Sequence, residues 1–79
     1  MTILEECVSV LIPARNESAT IGAVVGAVLQ NLPQAEVLVV DDGSHDGTGE
    51  TARAAGARVI RHSLPRGKGA ALRTGFKAA

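Results

Sequence analysis

The chain of 79 residues sets eight Lys and Arg against eight Asp and Glu, so its formal net charge is zero. The balance hides a split: residues 1–50 hold all eight acids and one base, Arg15, while residues 51–79 hold seven bases and no acid. With 46% hydrophobic residues and 20% charged, neither half is a disordered polar tail, and the charges belong at the edges of folded elements.

Other classes fall away as quickly. A single cysteine, Cys7, makes no internal disulfide and is expected to be reduced, small and buried. No Cys/His cluster has zinc spacing. The longest uncharged run, Ser18 to Ala35, is broken by Gly22, Gly26, Gln30, Asn31 and Pro33, which makes a poor membrane span. The N-terminus has no basic segment followed by an apolar core, so a cytoplasmic location is the expectation. No nucleic-acid partner is expected. One aromatic, Phe76, and many Ala and Gly leave little area to bury. Marginal stability, or a piece of something larger, follows.

The elements alternate along the chain. Residues 7–12 form an apolar, β-branched run ended by Pro13, a strand buried on both faces. Ile21, Val24, Val25, Val28, Leu29 and Leu32 share one helix face, and Pro33 stops that helix. Asn16 or Ser18 is available to cap its start. Residues 36–40 (Glu-Val-Leu-Val-Val) form a second strand, and residues 41–47 a polar, glycine-containing loop. A short helix over about 47–55 ends at Gly56. Residues 58–61 read as a third strand, nearer an edge. A loop over 63–67 leads to a helix over 68–79, with Ala71, Leu72, Gly75 and Phe76 inward. The fold class is therefore α/β: a three-layer or half Rossmann-like β-α-β-α-β-α unit with a parallel three-stranded sheet, its helices on both faces or packed to one. Residues 1–79 form a single, incomplete domain. Ligands of such sheets bind at the carboxyl ends of the strands. The loops there are 13–18, 41–47 and 63–68.

Three familiar motifs fail. Asp42-Gly-Ser-His-Asp-Gly47 starts like a calcium loop, but the twelfth position is Arg53 instead of Glu. Gly67-Lys68-Gly69 lacks the upstream glycine and the following Ser/Thr of a phosphate loop. The dinucleotide glycine fingerprint is incomplete as well, which argues against a dehydrogenase.

What remains is a set of strand-end groups, each with a plain and a functional reading. Asp41 and Asp42 either cap and solvate a turn, or accept hydrogen bonds from a base imide or a ribose hydroxyl. Ser44, Asp46 and Thr48 hold the turn and cap the helix. Glu17 is a first-turn acid favoured by the helix dipole, or a second carboxylate beside sugar or base. Arg15 is a surface cation, or stacks its guanidinium on a base. Lys68 is solvated, or joins backbone N–H groups that favour anions. His45 and His62 read as exposed loop residues.

Three blocks now carry a resemblance: Val8-Ser-Val-Leu-Ile-Pro-Ala-Arg-Asn-Glu17, then Glu36-Val-Leu-Val-Val-Asp-Asp-Gly-Ser-His-Asp-Gly-Thr48, then Gly67-Lys-Gly-Ala-Ala-Leu-Arg-Thr-Gly75. In this order and spacing they resemble the start of the family 2 glycosyltransferases. They are most similar to dolichol/polyprenyl-phosphate sugar transferases and glucosyl-phosphoglycerate synthases. The resemblance implies the nucleotide-binding start of a GT-A fold. It implies nucleotide contacts at Pro13, Arg15 and Glu17, at Val40 and Asp42, and at Lys68. An aromatic is common in the family where Arg15 stands, and an Asn common before Gly-Lys-Gly is absent from Ser63-Leu-Pro-Arg66.

The resemblance further implies a hexose moved from a UDP- or GDP-sugar to a phosphate-bearing or lipid-phosphate acceptor. It implies a divalent metal, Mg or Mn, in the parent enzyme, held by an Asp-x-Asp motif beyond Ala79. No catalytic or metal-ligating residue is expected within the 79, so the chain alone is expected to bind no metal tightly and to be inactive. A non-catalytic nucleotide-binding or assembly module is the alternative. A small phospho-acceptor domain would need an Asp at the third strand end, where Arg61-His62-Ser63 has none. The apolar first strand, left at an edge, is expected to support a homo-oligomer there or through a helix face.

Overall fold

The computed structural model describes residues 8–79, so the expected burial of Cys7 lies outside it. The elements run β1 (Ser9–Ala14), α1 (Ser18–Asn31), β2 (Glu36–Asp42), α2 (Thr48–Ala54), β3 (Arg58–His62) and α3 (Lys68–Ala78). The strands are parallel in the order β1-β2-β3. This is the expected β-α-β-α-β-α unit. No described helix is long and apolar enough to cross a membrane.

Strand alternation divides the sheet into two apolar faces. Ala14, Val37 and Val39 face α1 and α2, meeting Ile21, Val25 and Ala52 in the main core. The opposite face carries Leu11, Leu38 and Val40 under α3. Helices therefore cover both faces. β2 lies in the middle, and six of its seven residues are buried. β1 lies at an edge among the described residues.

Several local expectations need correction. β2 does not stop at residue 40 but runs to Asp42, so the acidic pair stands on the strand and not in the loop, and Val24 and Leu32 of the expected α1 face are exposed. β1 does not end at Pro13 but continues to Ala14, and most of it is half-buried. Proline's missing N–H is tolerated because β1 is an edge strand. β3 extends one residue further, to His62, which is buried and not a loop residue. Neither Asn16 nor Ser18 caps α1; the N-cap position is Glu17, without a side-chain cap of its own. Phe76 is 73% exposed, whereas Ala71 and Gly75 are buried. Small residues at 71 and 75 let α3 sit close to the sheet: a Cβ at Gly75 would lie 3.4 Å from Leu11 and 3.5 Å from Val40. The next position along the helix turns away from that contact.

Candidate functional site

The three strand-end loops hold one another, and residues 41–48 are the centre of the arrangement. Strand alternation sends the acidic pair to opposite faces. Asp41 points towards α2, where its Oδ1 accepts a hydrogen bond from the Ser44 N–H at 3.1 Å. Its Oδ2 is buried without a hydrogen-bond partner and would lie 3.0 Å from a Cβ at Gly49. Asp42 points towards α3. Each carboxylate thus belongs to a different layer.

Residues 44–48 hold the first loop. The Asn16 N–H donates to Ser44 Oγ at 2.8 Å, and the His45 N–H donates to Asn16 Oδ1 at 2.9 Å. The Glu17 N–H donates to Thr48 Oγ1 at 2.8 Å, and the Ser18 N–H to Asp46 Oδ2 at 3.1 Å. Two of these bonds satisfy, from another loop, the Glu17 and Ser18 donors at the start of α1. They also hold Asn16 at its positive φ of 53°. Ser44, Asp46 and Thr48 hold the turn, as expected: Asp46 Oδ1 accepts the Thr48 N–H at the start of α2 at 3.1 Å, and the same group of side chains also serves the start of α1.

Asp42 holds the third loop. Its Oδ1 accepts the Arg66 N–H and its Oδ2 the Gly67 N–H, each at 2.9 Å. Oδ1 also meets His62 Nδ1 at 2.8 Å, and His62 Nε2 meets Thr74 Oγ1 at 2.9 Å. His62 is cross-strand partner to Asp42 in the β2–β3 register, so both side chains share a face. Gly43 adds a close approach: a Cβ there would fall 2.7 Å from Pro65. Arg61 Nη2 donates to the Ser44 carbonyl at 2.7 Å and braces the middle loop.

A cleft of about 250 Å³ opens where the loops meet, lined by Pro13, Ala14, Arg15, Glu17, Asp42, Gly67, Lys68 and Ala71. Five of the six expected site residues are therefore brought together: Pro13, Arg15, Glu17, Asp42 and Lys68. Val40 is not; at 1% exposure it lies beneath the cleft in the layer under α3. His62 and Thr74 support the cleft and escaped the sequence reading. Their signal was strand parity: a strand carried one residue beyond Arg61 puts His62 beside Asp42.

Hydrogen bonding sets the electrostatics. The bond with His62, helped by the Arg66 and Gly67 N–H groups, holds the Asp42 carboxyl at about 2, against an ordinary 3.8. Asp46 is also lowered to about 2, chiefly by the Thr48 hydroxyl and then by Ser18. Both acids bind protons more weakly folded than unfolded, so both stabilise the fold above their unfolded value. That contribution is full above pH 4 or so and is lost as pH falls through about 2. Melting temperature should therefore fall between pH 4 and pH 2, and less steeply in the double variant Asp42→Asn/Asp46→Asn. An equally steep fall in that variant would contradict the assignment.

Among the described residues no group of three or more His, Cys, Asp or Glu could hold a metal ion. The cleft offers only Glu17 and Asp42, and most of the acceptor capacity of Asp42 is used internally. The described residues do not fit a metal site.

Comparison with known proteins places the fold. The glycosyl transferase family 2 model matches residues 9–79. The 4,4'-diaponeurosporenoate glycosyltransferase of Staphylococcus aureus is 38% identical over 55 residues, 70% of this chain and 15% of its own length. Glucosyl-3-phosphoglycerate synthase of Mycobacterium tuberculosis, solved with Mn2+, UDP and glucosyl-3-phosphoglycerate, superposes with a TM-score of 0.80 at 36% identity. The match covers 92% of this chain and 29% of that one. Mannosyl-3-phosphoglycerate synthase of Rubrobacter xylanophilus gives a TM-score of 0.77 at 30% identity, over 92% of this chain and 27% of that one. The chain thus spans less than a third of each of these three proteins. Three parallel strands, their interleaved helices and the matched blocks agree: the chain belongs to glycosyl transferase family 2.

Proposed function

We propose that the cleft binds the nucleotide end of a nucleotide-sugar, a UDP- or GDP-hexose, as the first part of a transferase. The parent enzyme would join the hexose anomeric carbon to an oxygen of a phosphate-bearing or lipid-phosphate acceptor, releasing the nucleoside diphosphate. The observation that carries this reading is the convergence of Arg15, Glu17, Asp42 and Lys68 from three loops on one cleft. Two carboxylates lining the cleft, Glu17 and Asp42, suit the donor groups of a base and ribose. Lys68, at the start of the 11-residue α3, suits an anion. The UDP complex of the mycobacterial synthase supports the same ligand class.

Hydrogen-bond counting sharpens the role of Asp42. A carboxylate has about four acceptor sites. His62 and Arg66 use those of Oδ1, and Gly67 uses one of Oδ2. One acceptor site remains, on Oδ2. Asp42 can therefore take a single imide N–H or ribose hydroxyl, while Glu17 and Arg15, both exposed, remain open to others. The metal that compensates the leaving diphosphate would be held by residues outside this span, and the 79-residue chain alone would transfer no sugar.

Calorimetric titration of the chain with UDP, GDP and uridine, with and without Mn2+, tests the reading. Weak binding of UDP or GDP, unchanged by Mn2+, is expected. Lys68→Ala should weaken UDP by about tenfold, the size of one charge-assisted contact, and leave uridine unchanged. No binding at millimolar nucleotide would sink the reading and favour an assembly module.

A further inference from the structure

We propose that His62 is a positioning residue for the diphosphate end of the cleft, acting with Thr74 through Asp42 on the loop that carries Lys68. This rests on the nucleotide reading above and deepens it. Four links form a closed circuit: Thr74 of α3 to His62 of β3, His62 to Asp42 of β2, and Asp42 back to the Arg66 and Gly67 N–H groups at the start of α3. The circuit ties both ends of one stretch, residues 66–74, to the sheet. Lys68 lies inside that stretch and lines the cleft.

The chemistry of the links explains why a histidine is needed. Asp42 is ionised above pH 4 and is then acceptor-only. Nδ1 of His62 must therefore carry the proton and donate. In the neutral ring Nε2 is then an acceptor, and takes the Thr74 hydroxyl proton. In the charged ring Nε2 donates instead, and the hydroxyl turns to accept. Because a hydroxyl can do either, the circuit survives a change of ring charge. His62 is 6% exposed, so water does not replace a lost link easily.

Without the His62 donor, the Asp42 carboxylate keeps only the two loop N–H groups, and the loop and carboxylate can shift together because nothing ties them to β3 and Thr74. The orientation of Gly67 and Lys68 then loosens, and so does the single acceptor site that Asp42 offers to base or ribose, while the loop carrying Arg15 and Glu17, held by Ser44, Asp46 and Thr48, does not. A merely structural histidine would weaken every ligand alike.

The test compares uridine and UDP on the 79-residue chain and on His62→Leu, His62→Asn and Thr74→Val. The asparagine amide can still donate to Asp42. In His62→Leu uridine should weaken by about threefold, through the one Asp42 contact, and UDP by about thirtyfold, through that contact and the Lys68 loop together, so that the ratio of UDP to uridine affinity falls by about tenfold. His62→Asn should recover most of that ratio, and Thr74→Val should lose part of it. Amide exchange at Arg66 and Gly67, measured by NMR without ligand, should speed up in His62→Leu and return towards normal in His62→Asn. An unchanged ratio, or a parallel fall for both ligands, would overturn the proposal, and so would unchanged exchange at Gly67. If the parent chain bound neither UDP nor GDP, the nucleotide reading would fail. The exchange data would still decide whether His62 holds the loop.

Discussion

Replacing Gly43 with alanine should lower stability by about 2–4 kcal/mol, through strain at a left-handed position and the clash that its Cβ creates. Gly43 has a φ of +75°, where an L side chain is disfavoured. The added Cβ would lie 2.7 Å from both Pro65 N and Cδ, and 3.0 Å from the Leu64 carbonyl carbon. Two of those atoms are backbone, so no side-chain rotation relieves the contact. The loops 41–47 and 63–68 must part, and the bonds from Arg66 and Gly67 to Asp42 must stretch with them. In a domain this small each kcal/mol moves the melting temperature by about 4–8 °C, so a fall of roughly 10–25 °C is expected. Gly26→Ala is the control. It adds the same methyl to an exposed position of α1 with nothing within 4 Å. There the better helix propensity of alanine should leave stability equal or raised by up to about 1 kcal/mol. Equal melting temperatures for the two variants would refute the loop contact.

The second large effect separates the two members of the acidic pair. Asp42→Ala should weaken UDP binding by about thirtyfold or more, the loss of a charged acceptor together with the loop it holds. Asp41→Asn should change it by less than about threefold, since the substitution keeps an acceptor for Ser44 and faces the other layer. Strand alternation thus predicts opposite outcomes for two adjacent residues of one type. Comparable losses in both variants would show that the cleft is not organised as described. Binding should be measured well above pH 4, where Asp42 is ionised.

Much of this arrangement was legible beforehand, and the misses have a common cause. Of the helix face read from local spacing, Ile21, Val25, Val28 and Leu29 pack inward while Val24 and Leu32 are exposed; the buried run of β2 follows from local pattern as well. The strand-end groups Arg15, Glu17, Asp42 and Lys68 were legible from the same pattern together with the three matched blocks. The inward placement of Phe76 failed because hydrophobicity alone does not decide which face of α3 approaches the sheet. Close packing of Ala71 and Gly75 against Leu11 and Val40 decided it, and left the larger ring outside. The self-capping of α1 failed for a similar reason. A better-placed set of acceptors came from Ser44, Asp46 and Thr48, 28 to 31 residues away.

The amino-acid sequence by itself determined the order of elements, the parallel sheet and the end of the sheet that carries polar loops. Those depend on periodicity and on short connections, which are local properties. It also determined the sign asymmetry, with acids on the early loops and bases on the last. Only the tertiary structure decided who holds whom. The β2–β3 register set His62 beside Asp42, and the packing of α3 brought Thr74 to the other ring nitrogen. Two histidines alike in sequence were thereby separated, His45 on the surface and His62 in the network behind the cleft. Hydrogen bonds between residues 12 to 31 positions apart have no local signature, because register and packing place both partners.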